Sequence, residues 1–82
     1  MNAFNEIHRL PDEQRVIALS AWYRTLENRQ LRMDCPDAYH EELVRQADEM
    51  ERVGLVTWPE LRDLRQQAGD AYLHAVTGKD YR

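Results

Sequence analysis

The side chain best placed for chemistry in this sequence is the single cysteine, Cys35, which lies directly before Pro36. Proline suits the first turn of a helix, and a helix N-terminus favours a reactive thiolate through its partial positive charge. His40 follows five residues later. A nucleophilic cysteine also needs an oriented base and an oxyanion site, and no motif here provides them. Cys35 is therefore a candidate reactive thiol, and a thiol-based sensor or enzyme is one alternative function.

The histidines and carboxylates do not form a recognisable catalytic or metal-binding pattern. His8, His40 and His74 are 32 and 34 residues apart, whereas zinc ligands lie at tight spacings. The densest acidic segment, residues 41–52, alternates acids with arginines, which is typical of a solvated helix face. Phosphate-binding glycine loops, G-x-S-x-G and H-E-x-x-H are missing from the sequence. We therefore predict a protein that is not an enzyme, with no catalytic residues, no metal site and no cofactor.

Composition limits the partners and the compartment. The chain has 82 residues, with 11 basic and 15 acidic side chains and a net charge of −4. This balance disfavours nucleic acid as the main partner, because phosphate contacts need clustered positive charge. No apolar run is long enough to cross a membrane, and residues 1–10 carry no apolar run typical of a secretory signal. A single cysteine favours a reducing compartment, so we expect a cytoplasmic protein without membrane contacts.

Apolar residues recur at helical spacing in three segments, at about residues 11–31, 36–53 and 58–76. No segment alternates apolar and polar residues for long enough to indicate a strand. The sequence therefore predicts one all-α domain over residues 1–82, a three-helix bundle. A short additional helix is expected near residues 3–7.

Each of the first two predicted helices has one apolar face. The first face is a stripe with spacings of three and four residues: Val16, Leu19, Tyr23 and Leu26. Ile17 and Trp22 widen this stripe, and we expect Trp22 to lie in the core. The face of the second helix consists of Tyr39, Leu43, Ala47 and Met50. Its polar side carries two acid-first pairs at i, i+4 that we expect to form ion pairs: Glu41 with Arg45, and Asp48 with Arg52.

The segment from Gly54 to Glu60 predicts a tight connection between the second and third helices. Gly54 suits the left-handed residue that follows a helix end. Thr57 and Glu60 match the capping box, in which a threonine at the N-cap is followed three residues later by a glutamate. A link this short predicts that helices 2 and 3 form an antiparallel hairpin.

The third helix carries a heptad-like seam whose second half is alanine. Its residues are Leu61, Leu64, Ala68, Ala71 and Ala75. Small seam residues allow another helix to approach closely, so the seam predicts a helix contact, either within the chain or across a dimer. Trp58 and Tyr72 complete the candidate interface. Tryptophan is enriched in binding hot spots, and the sequence leaves open whether Trp58 is core or interface.

The segment Leu10-Pro11-Asp12-Glu13-Gln14-Arg15-Val16-Ile17 resembles the opening of the C-terminal promoter-reading region of sigma factors. In that family a helix-turn-helix follows. The hairpin that follows here departs from that pattern, because it is acidic and carries Pro59 in the position of the reading helix. This resemblance, with the ten arginines, makes a nucleic-acid-associated transcriptional regulator the second alternative function.

The leading expectation is a small non-enzymatic protein–protein interaction protein: an adaptor, inhibitor or regulatory subunit whose partner the sequence does not identify. It rests on the small size, the acidic surface and the lack of a catalytic motif. A chain of 82 residues buries only about 60% of its unfolded surface. Small domains with so little buried core often gain stability by oligomerisation. Self-association as a homodimer is therefore also expected.

Overall fold

The computed structural model describes residues 11–78, which form four helices and contain no strand. The helices are α1 (Pro11–Leu26), α2 (Arg29–Asp34), α3 (Pro36–Arg52) and α4 (Trp58–Val76). The predicted all-α class is confirmed, and α4 has the predicted bounds. The short helix expected near residues 3–7 lies outside the described residues. Within residues 11–78, no helix is both long enough and apolar enough to span a membrane.

The first predicted helix is in fact two helices, so the prediction of one helix over residues 11–31 was wrong. The break lies at Asn28, whose backbone is not helical (φ −78°, ψ 88°). Its side-chain oxygen accepts a hydrogen bond from the Leu31 N–H at 3.0 Å. Asparagine is among the best N-cap residues because it satisfies a backbone donor that has no partner within the helix. Asn28 therefore ends the continuous helix and starts α2.

The predicted turn between α3 and α4 is confirmed in detail. Gly54 has a φ of +85°, and the Leu55 N–H donates to the Met50 carbonyl at 2.8 Å. This pattern closes the end of α3 as a Schellman motif. At the start of α4, Thr57 and Glu60 form both hydrogen bonds of the capping box. The two helices are therefore joined by a fully hydrogen-bonded turn.

Helices α3 and α4 run antiparallel, as predicted. Asp48 pairs with Arg65 near the turn, and Asp37 accepts a hydrogen bond from Tyr72 near the other end. From the first contact to the second, the residue number falls from 48 to 37 on α3 and rises from 65 to 72 on α4. This is the register of an antiparallel pair.

The predicted i, i+4 ion pairs within α3 do not form, and this is a correction. Arg45 and Arg52 pair instead with glutamates three residues earlier, Glu42 and Glu49. Asp48 faces α4, so its carboxylate meets Arg65 and not Arg52. Exposed pairs of this kind add little stability, and the Asp48 pair is compatible with the antiparallel register of the hairpin.

The core is built around α3, which packs against all three other helices. Helix α3 contributes four buried residues, whereas Trp22 is the single buried residue of α1 within the described range. The Trp22 side chain is fully buried, as predicted, and its indole N–H donates to the Leu43 carbonyl at 2.9 Å. The main core cluster consists of Trp22, Tyr39, Leu43, Ala47, Met50, Val56, Leu61, Leu64 and Ala68.

The apolar stripe predicted for α1 is not centred on the core, and this is a second correction. Leu19 and Leu26 are half-buried, while Val16 is 61% exposed and Tyr23 is 40% exposed. Ile17, expected to widen the stripe, is 47% exposed. Helix α1 packs closely on α3 around Trp22, with Ala18, Leu19 and Leu26 against the same core cluster. It approaches α4 less closely, through contacts of Arg15 with Glu60 and of Tyr23 with Gln67. Val16 and Tyr23 of the stripe are therefore only partly covered by the described residues.

Replacing Trp22 with alanine is expected to cost about 3–5 kcal/mol, the usual range for a buried aromatic side chain. Domains of about this size rarely gain more than ~3–5 kcal/mol from one core. The W22A protein should therefore lose its cooperative urea transition in far-ultraviolet circular dichroism.

Trp58→Ala is the matched control, because Trp58 is 61% exposed and its ring contacts Arg62. Its expected cost is below about 1 kcal/mol. A W22A protein with the midpoint of the wild type would contradict the central role of Trp22.

Candidate functional site

A long groove lies between α4 on one side and α1 with α2 on the other. It consists of two adjoining cavities of about 210 Å³ and about 540 Å³, which share Gln67 as a lining residue. The α4 residues that line it lie on one side of that helix: Glu60, Asp63, Leu64, Gln67, Asp70, Ala71 and His74. From Glu60 to His74 this edge is about 21 Å long at 1.5 Å per residue. We call this feature the α1–α4 groove.

The floor and the α1 wall of the α1–α4 groove are largely apolar. Leu19, Tyr23 and Leu26 line the α1 side, and these are three of the four stripe residues left half-packed on α1. Val56 and Leu64 belong to the buried core beneath the groove. The groove thus presents three apolar side chains of α1 that the described residues cover only in part.

The α4 wall of the groove is polar and acidic. Asp63 and Asp70 are exposed, and neither takes part in an ion pair among the described residues. Gln67 lies between them and contacts the Tyr23 hydroxyl across the groove at 3.5 Å. The walls therefore differ in chemistry: the α1 wall is mainly apolar, the α4 wall carries the two aspartates, and the α2 wall carries Arg29 and Arg32.

An ion pair between Arg15 and Glu60 closes one end of the groove. The two guanidinium nitrogens donate to the two carboxylate oxygens at 3.0 and 2.7 Å, and one of them also donates to the Leu55 carbonyl at 3.0 Å. The Arg15 hydrogen bonds, followed by that from the Thr57 N–H, lower the pKa of Glu60 to about 2. Bidentate arginine–carboxylate pairs are directional, so this pair sets the position of the α1 N-terminal half relative to the turn.

The break between α1 and α2 fixes the other end of the groove. The Leu26 carbonyl, at the end of α1, accepts hydrogen bonds from the Tyr39 hydroxyl at 2.5 Å and from Arg32 at 3.3 Å. The Arg32 guanidinium also lies 5.9 Å from the Tyr39 ring centre. Carbonyls at a helix end lack partners within the helix, so these contacts tie the end of α1 to α3.

The seven residues predicted as an interface do not come together on one surface. Leu61, Leu64 and Ala68 are buried in the main core, and Ala75 is also buried. Ala71 and Tyr72 are half-buried, whereas Trp58 is exposed. The first half of the seam therefore packs inside this chain, and only Leu64 and Ala71 reach the groove.

Tyr72 has a structural partner within the chain. Its hydroxyl donates to Asp37 at 2.8 Å, and its ring centre lies 5.2 Å from that of His40. The hydrogen bond to Asp37, together with its negative charge, raises the pKa of Tyr72. Tyr72 thus joins the end of α4 to the start of α3.

Cys35 is exposed and occupies the N-cap position of α3, without a side-chain capping hydrogen bond. His40, the nearest histidine in sequence, has its ring against Tyr72. Among residues 11–78 there is no group of three histidine, cysteine or acidic side chains that could hold a metal ion.

The acidic wall of the groove was missed by the sequence reasoning. Its signal was present beside the seam, because Glu60, Asp63, Gln67, Asp70 and His74 recur at spacings of three and four. That spacing places them on one helix face next to the buried one. No spacing in the sequence indicates where α1 lies relative to this face of α4.

Comparisons with known proteins do not identify the site. No family model matches the chain, and neither a curated protein nor a solved structure is significantly similar to it.

The Arg15–Glu60 pair predicts a specific loss of stability in acid. A carboxylate whose pKa is lowered from 4.5 to about 2 by folding stabilises the folded state above pH 4.5. That stabilisation is lost as the pH falls towards 2. Glu60→Gln should lower the urea midpoint at pH 7 and flatten its dependence on pH between about 4.5 and 2.

Glu49→Gln is the matched control, since the Glu49 pair with Arg52 lies within α3. Its effect on the urea midpoint at pH 7 should be smaller, because no second helix depends on it. If E60Q kept the wild-type pH profile, Glu60 would not be the group that links the turn to α1.

Proposed function

We propose that this protein is a non-enzymatic interaction protein, an adaptor, inhibitor or regulatory subunit that binds an apolar helix face of a protein partner in the α1–α4 groove. One observation carries the proposal. Leu19, Tyr23 and Leu26 of the α1 stripe line this groove and are only partly buried by the described residues, because α1 packs closely on α3 and makes few contacts with α4. Apolar side chains that a small fold leaves uncovered along a groove are typical of an interaction site.

The dimensions of the groove suit a helix. Its α4 edge, from Glu60 to His74, corresponds to about four helical turns. An amphipathic helix laid in a hydrophobic groove is a common mode of peptide recognition, read through anchors at i, i+3, i+4 and i+7. Such a helix between α1 and α4 would be the fourth long helix, beside α1, α3 and α4, as in a four-helix bundle.

The distribution of charge supports a protein partner over nucleic acid. Four of the described arginines already pair with carboxylates of the same chain: Arg15, Arg45, Arg52 and Arg65. Contacts with a nucleic-acid backbone need clusters of uncompensated positive charge. The alternative of a transcriptional regulator that contacts nucleic acid gains no support from this arrangement.

A homodimer was expected on two grounds, the thin core and the alanine seam. Leu61, Leu64 and Ala68 of that seam pack within the chain, so the seam does not require a second copy. We therefore propose that a different protein occupies the groove, and a second copy of this chain is the competing occupant.

Two adjacent glutamines allow a matched test of the groove. Gln67 lines it, whereas Gln66 is exposed and lines neither cavity. Gln67→Trp should obstruct the groove, while Gln66→Trp adds the same side chain outside it. Affinity purification from the native host should recover a partner with the wild type and with Q66W. Recovery with Q67W should fall at least about tenfold, equivalent to ~1.4 kcal/mol of binding free energy.

Both variants should unfold at nearly the wild-type urea midpoint, which separates lost binding from lost folding. Equal recovery of the partner by Q66W and Q67W would exclude the groove as the binding site. Light scattering on the purified protein tests whether a second copy occupies the groove. A wild-type dimer that becomes a monomer in Q67W would place the second copy there.

A further inference from the structure

The chemistry of the groove also indicates the character of its partner, an inference that rests on the proposed function. We propose that the partner helix is amphipathic and basic, with lysines or arginines along the flank that faces α4. Its apolar face would meet the half-packed stripe of α1. Its basic flank would meet the acidic wall formed by Asp63 and Asp70.

The two aspartates are well placed to select such a flank. Asp63 and Asp70 are seven residues apart on one side of α4, which is about two turns or ~10.5 Å. Neither has an ion-pair partner in the described residues. A bound helix would present cations at the same seven-residue spacing, so one flank could meet both carboxylates.

The remaining charges of the groove place the acidic excess at its α1 half. There the Arg15–Glu60 pair is internally balanced, which leaves the charge of Asp63. At the α2 half, Arg29 and Arg32 line the cavity together with Glu27 and Asp70, so the charges are nearly balanced. Asp63 should therefore contribute more to selection than Asp70.

Net charge favours a basic partner over a second copy of this chain. Each copy carries −4, and like charges across an interface oppose association. A second copy would also bring its own acidic α4 wall towards Asp63 or Asp70. A basic helix instead gains from complementary potential, which speeds encounter and favours the correct partner.

Two synthetic peptides test this inference directly. Each is a capped, fluorescently labelled helix of about 18 residues, long enough to cover the groove, with leucines at spacings of three and four. One carries lysines along one flank, and the other carries glutamates at the same positions. Fluorescence anisotropy with the full chain at low salt should show at least about tenfold tighter binding of the lysine peptide.

Charge-removing variants test the assigned residues. Asp63→Asn together with Asp70→Asn should weaken binding of the lysine peptide about fivefold, and should make its affinity less sensitive to salt. The control removes two exposed glutamates of α3 that line neither part of the groove. This control, Glu41→Gln with Glu51→Gln, has the same net charge as D63N/D70N and should change the affinity less than about twofold.

The outcomes separate this inference from the proposed function. If both peptides bind equally well and Q67W blocks both, the groove binds helices without selecting charge, and the inference is wrong while the proposed function stands. If Q67W leaves tight peptide binding unchanged, the groove is not the site and both proposals fail. The proposal of a basic partner helix is wrong if neither peptide binds, or if a dimer of this chain occupies the groove.

Discussion

The burial of Trp22 against α3 is the contact on which the arrangement of the helices depends. Helix α1 contributes no other buried side chain in the described range, so one indole largely determines where α1 lies. Its N–H is satisfied by the Leu43 carbonyl, which permits full burial without an unpaired donor. Around this anchor α1 packs more closely on α3 than on α4, and the groove lies on the less closely packed side of α1.

Much of the fold could be predicted from the sequence, because its signals are local. The bounds of α4, the capping box at Thr57 and the antiparallel hairpin depend on residues close together in the chain, and the structure has all three. The break at Asn28 also had a local signal, yet helical periodicity continued through it and concealed the N-cap. At a single residue, the sequence can indicate both a continuing helix and an N-cap, and without the fold it is hard to tell which one forms.

The candidate site was harder to predict, because it depends on how helices from distant segments face each other. Spacing shows that Val16 and Tyr23 share a stripe, but not that the packed face is centred on Trp22. Likewise, the seam of α4 predicted a close helix contact without telling whether α3 or another molecule makes it. Leu61 and Ala68 lie in the core cluster together with four residues of α3, and only Leu64 and Ala71 of the seam line the groove.

The two ends of α1 are attached by different kinds of contact, and this asymmetry has a mechanical consequence. Near its start, Arg15 and Glu60 are held by a charged pair that is partly open to solvent. At its end, Leu26 is held by a neutral tyrosine hydroxyl as well as by Arg32. Dissolved salt weakens an accessible charged pair much more than a neutral hydrogen bond. Ionic strength should therefore widen the gap between α1 and α4 at the Arg15 end, with Leu26 acting as the pivot.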